Sequence, residues 1–256
     1  MARADHREAT RPRQAHRIAT FVDRRYDSSS RYHRASVYSE SDAGNCWCVD
    51  CSAEPINLGQ VLTMEISVKS ASRAEQDAVI GVVIAAFLTD PIARWMYPEP
   101  HEYFAVAGDF TKAFAGQAFA HGSAYCVDGY AGAALWLPPG INPDQDALSA
   151  LLTTTIPQHR QENIFGLFEQ MGNYHPEEQH WYLPQIGVDP IHQGRGYGSA
   201  LMRHALLECD RHNKLAYLES SNPRNLSLYI RHGFELMGTI QLADSPPMFP
   251  MLRKPG

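Results

Sequence analysis

The sequence predicts an α/β (α+β) domain in which helices flank a central sheet, and three stretches carry that prediction. Residues 181–234 read as an apolar strand, a turn with Gly194, Gly196 and Gly198, an amphipathic helix, a second strand, and a short helix closed by Gly233. Residues 123–127 and 130–137 are strand-like runs on either side of Asp128-Gly129, a two-residue hairpin signal. Between residues 79 and 118, apolar side chains recur at helical spacing in two successive segments.

The chain has 256 residues, room for one large domain or two small ones, and its apolar fraction of 44% is ordinary for a soluble core. A formal charge of −6 argues against a general nucleic-acid binder, which would show a basic face, and is more compatible with small cationic substrates. No run approaches the roughly 18–20 apolar residues that span a bilayer. The N-terminus lacks the apolar core of a secretory signal, so a cytoplasmic protein with no membrane partner is expected. Five cysteines give no disulfide framework, in keeping with a reducing compartment.

Residues 1–62 differ from the rest. Arginines 3, 7, 11, 13, 17, 24, 25, 31 and 34 are interleaved with Ser, His and Asp, and apolar periodicity is missing, so a disordered extension is expected ahead of a domain over 63–256. Because Met64 directly precedes a plausible strand at 65–69, the function is expected not to need that extension. Asp5, Glu8, Asp23 and Asp27 are too many acids for a good mitochondrial transit peptide. The cluster Cys46, Cys48 and Cys51 lacks the second ligand pair of a structural zinc site, and no metal is expected.

In the globular part, Ser72 and Glu75 form a capping box that should start a helix. Val79, Val82, Val83, Ala86 and Phe87 make its apolar face, and Asp90-Pro91 interrupts it. A second helix carries Tyr103, Ala107, Phe110, Phe114 and Ala118 on one stripe, which reads as core packing. After the hairpin, Pro138-Pro139-Gly140 ends a strand, and residues 143–171 show helical spacing in two parts. This insert is expected to wall the substrate pocket or simply to pack. Leu201, Met202, Ala205, Leu206 and Cys209 place the next helix on the sheet. Residues 215–220 are a strand, Asn222-Pro223 starts a short helix, and 234–242 with 248–253 close the chain as a hairpin.

The glycine turn carries the chemistry. Glycines at alternate positions between a strand and a helix let backbone N–H groups point into one concavity, and the helix N-terminus adds its free N–H groups and positive dipole end. A pyrophosphate fits such a site. A dinucleotide fingerprint would want glycine where Ser199 stands, and the Gly-Lys-Ser/Thr of a P-loop is absent.

The run Gln193-Gly194-Arg195-Gly196-Tyr197-Gly198 resembles the Gln/Arg-x-x-Gly-x-Gly/Ala signature of the GNAT family, the Gcn5-related N-acetyltransferases. Ile186-Gly187-Val188-Asp189-Pro190 resembles that family's fourth strand and its exit. Asn225, Tyr229, Gly233 and Phe234 resemble its N-x-x-x-Y-x-x-x-G-F stretch. Within the family, the runs 181–190, 218–220, 223–226 and 253–256 look like the puromycin N-acetyltransferase subfamily.

The resemblance implies a mixed, mostly antiparallel sheet of about seven strands with a V-shaped splay between strands 4 and 5. It further implies acetyl-CoA as co-substrate and a primary amine of a small molecule as acceptor, with antibiotic or xenobiotic detoxification as one use. By resemblance, pantetheine pairs with backbone at Ile186, Gly187 and Val188, and the Val188 N–H is the oxyanion donor. The pyrophosphate lies over Gln193, Gly194, Arg195, Gly196, Tyr197, Gly198 and Ser199, with Arg195 adding charge or staying solvated. Asn225 bonds the pantetheine amide region or caps its helix.

Acetyl transfer to an amine also needs a proton donor for the departing thiolate and a base for the ammonium. Tyr229 is the expected donor, with core packing as its other reading. Glu219, at the end of the fifth strand, is the expected base, with a surface or capping carboxylate as its other reading. His180 and Gln185 are weaker candidates, and a water chain would need no residue. Trp95, Tyr97 and His101 are candidates for the acceptor side. A protein N-terminal or lysine acetyltransferase and a non-catalytic acyl-CoA-binding module are the competing functions. Either a monomer or a homodimer is compatible with the sequence.

Overall fold

The structure is a computed structural model that describes residues 66–256. The expected extension over 1–62, the start at Met64, Glu65 of the first predicted strand and the Cys46–Cys48–Cys51 cluster lie outside the described residues. From Ile66 onward the chain forms a seven-stranded sheet in the order β1-β2-β3-β4-β5-β7-β6. Its strands are β1 (Val68–Ser70), β2 (Ala124–Val127), β3 (Gly132–Leu137), β4 (His180–Val188), β5 (Leu215–Ser220), β6 (Glu235–Leu236) and β7 (Phe249–Arg253). Every neighbouring pair is antiparallel except β4 and β5.

The sheet is covered on both faces, which explains why every residue of β3 is buried rather than every second one. Ala133, Leu135 and Leu137 face one core with α1 (Gln76–Phe87), α3 (Pro100–Ala115), α4 (Gln117–Ala120), α5 (Gln145–Thr155) and α6 (Gln158–Tyr174). Ala134 and Trp136 face the other, beneath α7 (Tyr197–Arg211) and α8 (Leu226–Arg231). The predicted α7 stripe of Leu201, Met202, Ala205, Leu206 and Cys209 is buried there.

The capping box forms. The Glu75 carboxylate accepts from the Ser72 N–H at 2.9 Å and from its hydroxyl at 2.8 Å, opening a 3₁₀ turn that runs into α1. The helical insert forms its expected two parts, α5 and α6.

Four local expectations change. Asp90-Pro91 does not leave a loop: Asp90 accepts from the Ile92 and Ala93 N–H groups and caps a short helix, α2 (Pro91–Met96), because proline at the first position of a helix loses no bond. Asp128-Gly129 is not a two-residue turn. A 3₁₀ segment, Asp128–Tyr130, replaces it, with Gly129 at φ +72° and Tyr130 at +55°, and the Tyr130 hydroxyl bonds Glu75 at 3.0 Å. The first strand lies later than residues 65–69. The strand expected over 234–242 shortens to Glu235–Leu236 plus an isolated bridge between Ile240 and Met248. At Gly238 the Tyr174 hydroxyl approaches to 2.7 Å of where a Cβ would stand. α6 therefore crowds the chain where the predicted strand would have continued.

Candidate active site

The parallel pairing of β4 with β5 spans His180 to Tyr182 against Leu215 to Tyr217 and then stops. Beyond it the two strands part, and the edge of β4 from Leu183 to Val188 is unpaired on the β5 side. The Asp189 N–H donates to the Ala131 carbonyl at 3.0 Å, toward β3. Because successive residues present backbone groups to opposite strand edges, Gly187 also faces β3, while Ile186 and Val188 face the gap. The Gln193 side-chain amide donates to the Val188 carbonyl at 3.2 Å, tying the glycine turn to the end of the strand. Gly187 is required for another reason: a Cβ there would stand 2.5 Å from the Ala86 Cβ, so only glycine lets α1 pack this closely on β4.

The turn itself is shaped by Asp189, which accepts from the Ile191 N–H at 3.1 Å, and by Gly194 and Gly196 at φ +75° and +86°. The fifteen-residue α7 begins at Tyr197, so its free N–H groups and dipole meet the same concavity. The Ser199 hydroxyl is already engaged, lying 2.7 Å from His232 Nε2 and accepting from Arg203 at 3.2 Å. Burial and the neighbouring arginines hold His232 below its ordinary value, so its neutral ring accepts the Ser199 proton. That leaves the Ser199 backbone, rather than its side chain, for an anion.

The gap opens into a cleft of about 670 Å³, within the usual range for small-molecule sites. Its walls include Ile186, Gly187, Val188, Gln193, Gly194, Gly196, Tyr197, Gly198, Ser199, Asn225, Tyr229 and Glu219. Of the residues predicted to bind acetyl-CoA, only Arg195 is left out; it is exposed and off the wall. Two other arginines line the cleft, Arg224 and Arg231, which sequence reasoning passed over. Both flank the Asn225–Tyr229 stretch, and that proximity was the available signal. Asn225 makes no side-chain cap on α8.

At its other end the cleft is apolar, walled by Met96, Phe110, Phe114, Phe168 and Met171, so both parts of the structure around the insert contribute. Tyr97 joins this wall and its hydroxyl meets Thr155 Oγ1 at 2.8 Å. Trp95 and His101 do not: Trp95 donates to Asp244 at 3.2 Å, and His101 is exposed. The Arg160 guanidinium of α6 donates to the Trp95 and Met96 carbonyls, fastening the insert to the end of α2.

Two groups in the cleft suit proton transfer. The Glu219 side chain is 2% exposed, and its Oε1 is a buried acceptor without an aligned hydrogen-bond donor. His175 Nε2 lies 3.2 Å from that oxygen. Burial, and then the Glu219 charge, push the Tyr182 and Tyr217 phenols upward, so both stay protonated beside it. Tyr229 is 5% exposed and is raised by burial and then by Asp90, so it too carries its proton. Gln185 is buried on the wall, whereas His180 stands behind it, with His175.

A family profile described as an acetyltransferase (GNAT) domain matches residues 160–236, which hold β4, the glycine turn, α7, β5 and α8. An uncharacterized N-acetyltransferase of Schizosaccharomyces pombe is 26% identical over 209 residues, covering 74% of this chain and 84% of that protein. Two solved structures share the fold. A histone acetyltransferase HPA2 and related acetyltransferase from Corynebacterium glutamicum aligns with TM-score 0.54 and 23% identity, covering 75% of this chain and 97% of its own. Arylalkylamine N-acetyltransferase 2 from Aedes aegypti aligns with TM-score 0.54 and 12% identity, covering 75% and 100%.

Proposed function

This chain carries a GNAT acetyltransferase domain and is an acyltransferase of that type, and we propose that it moves an acetyl group from acetyl-CoA to the primary amine of a small molecule with an apolar body. One observation carries the reading: a single cleft joins the free β4 edge and the glycine turn to an apolar chamber bordered by a buried carboxylate. Donor and acceptor can therefore occupy one ternary complex, and the amine can attack directly.

The site fits the co-substrate. The Gly194–Ser199 turn and the start of α7 offer backbone N–H groups to a pyrophosphate, and Arg224 and Arg231 offer guanidinium groups to phosphate oxygens. Ile186 and Val188 offer a strand edge to the pantetheine amides. When bound, acetyl-CoA supplies an activated thioester carbonyl. The Val188 N–H donates to the oxygen of that carbonyl as negative charge develops on it. Glu219 accepts the proton of the attacking ammonium, for which its open Oε1 is suited. Tyr229 gives its proton to the leaving sulfur. Its raised value does not oppose this, because the same dry environment also disfavours the thiolate.

The apolar wall of Met96, Phe110, Phe114, Phe168 and Met171 favours an amine with an aliphatic or aromatic body. The test is release of coenzyme A thiol by the full chain against a panel of arylalkylamines, alkylamines, polyamines, aminoglycosides and peptides, with mass spectrometry of the products. The expected result is turnover of apolar monoamines with N-acetylated products. Turnover of peptides alone, or of none of the amines with acetyl-CoA bound, would overturn the reading.

A further inference from the structure

Behind Glu219, on the side away from the cleft, two histidines continue the line of polar atoms. His175 Nε2 is 3.2 Å from Glu219 Oε1, His175 Nδ1 is 3.2 Å from His180 Nε2, and His180 Nδ1 is 2.8 Å from the Glu178 carbonyl oxygen. Neither histidine lines the cleft, and both are partly exposed, with 28% of the His175 side chain open to solvent.

The tautomers follow from the last bond inward, assigned from the network. A carbonyl oxygen only accepts, so His180 Nδ1 carries hydrogen and donates to Glu178. A neutral His180 then accepts at Nε2, which makes His175 Nδ1 the donor of the middle bond. A neutral His175 would turn a bare Nε2 toward the Glu219 carboxylate. That bare nitrogen, 3.2 Å from Glu219 Oε1, is placed to receive a proton that the carboxylate has taken up, which gives the proton a path outward.

We propose that Glu219, His175 and His180 form a proton-exit line that carries the proton of the acceptor ammonium from the cleft to solvent. This rests on the acetyltransferase reading above and adds a role for two side chains that never touch the substrate. The ammonium N–H bond breaks and its proton goes to Glu219, and a proton passes from Glu219 Oε1 to the bare His175 Nε2, which leaves the carboxylate ionised again. The His175 Nδ1 proton passes to His180 Nε2, and His180 releases its Nδ1 proton to water. One proton enters and one leaves, so the line ends with the number it began with. Burial holds His180 below its ordinary value, which favours release over retention. The groups facing the line are the Tyr182 and Tyr217 phenols, with ring centroids 4.6 and 4.5 Å from that of His175, the Tyr174 phenol beside Tyr217, and the Glu178 carbonyl. None of the three phenols competes for the proton, since a neutral phenol is a poor base.

The test measures kcat and KM for His175→Gln and His180→Gln in the full chain, across pH and at rising imidazole concentration. The expected result is a kcat about tenfold or more below wild type with KM for acetyl-CoA unchanged. Added imidazole should accelerate both variants and leave the wild type unmoved. Unchanged kcat in both variants would overturn the proposal. So would a loss that imidazole does not relieve at any pH, or one carried by KM, since each marks a structural role. If His175→Gln does not fold, His180→Gln, at the partly exposed end of the line, decides alone. Failure of the acetyltransferase reading is distinguishable, because there the wild type itself releases no thiol with any amine.

Discussion

Replacing Gly187 by alanine tests whether helix packing positions the free edge of β4. A Cβ there would stand 2.5 Å from the Ala86 Cβ, against an ordinary contact of 3.4–4 Å, and the next atoms are the α-carbons of Val83 and Ala86 at 3.8 and 3.9 Å. The obstacle is a helix wall rather than a flexible chain end, so α1 or β4 must move by nearly the whole deficit. Overpacking of this kind costs about 1–3 kcal/mol. At about 2–4 °C per kcal/mol for a domain of this size, Gly187→Ala should lower Tm by about 2–12 °C. Gly187 lies between Ile186 and Val188, so KM for acetyl-CoA should rise as well. Ala86→Gly alone should cost at most about 1 kcal/mol, from helix propensity. In the Gly187→Ala background the same change should raise Tm, because it removes the opposing atom. The double-mutant cycle should then show a coupling of about 1 kcal/mol or more. Thermal unfolding followed by circular dichroism measures all four proteins. Additive effects, or a Gly187→Ala protein with wild-type Tm, would refute the argument.

Two further outcomes are expected. Glu75 is held down to about 2 by the Lys69 ammonium, the Ser72 N–H and hydroxyl and the Tyr130 hydroxyl. Its folded value is below the unfolded one, so its contribution is present above the ordinary carboxylate range and lost as pH falls through about 2. Glu75→Gln should therefore lower Tm at pH 7, with the difference closing by pH 2, the gap being small because the group is exposed. Arg224→Ala and Arg231→Ala should each raise KM for acetyl-CoA by about tenfold, the scale of a lost charge-assisted hydrogen bond, with kcat little changed and the penalty shrinking at high salt.

The fold was legible where local chemistry and final structure agree. The strand Leu215–Ser220 falls where its apolar run predicts, and the Ser72–Glu75 box opens its helix. Gly194 and Gly196 adopt the positive φ that the turn needs. Legibility failed where a distant residue decided. Tyr130 leaves hairpin geometry to reach Glu75, and Tyr174 crowds Gly238 where the final strand would have continued. The helix Pro91–Met96 was missed because Asp-Pro was read as a stop, although the same pair is a cap and a first turn. In the site, Glu219 could be named from its place at the end of β5 and Tyr229 from its place in the helix that follows, whereas His175 could not. It follows a helix and has no motif around it, and only the pairing of β5 alongside β4 brings it to Glu219. Arg195 drew attention by standing within the glycine run, yet a turn of this shape points its side chain to solvent and leaves the cleft to Arg224 and Arg231.

The claim that this cleft performs acetyl transfer with its own proton donor is tested most directly by Tyr229→Phe. Coenzyme A thiol release with an apolar monoamine and the Kd for acetyl-CoA are to be measured side by side in this variant and the wild type. The account predicts kcat lower by about 100-fold or more at unchanged Kd, since the hydroxyl gives its proton only as the sulfur departs. Wild-type kcat in Tyr229→Phe would contradict it.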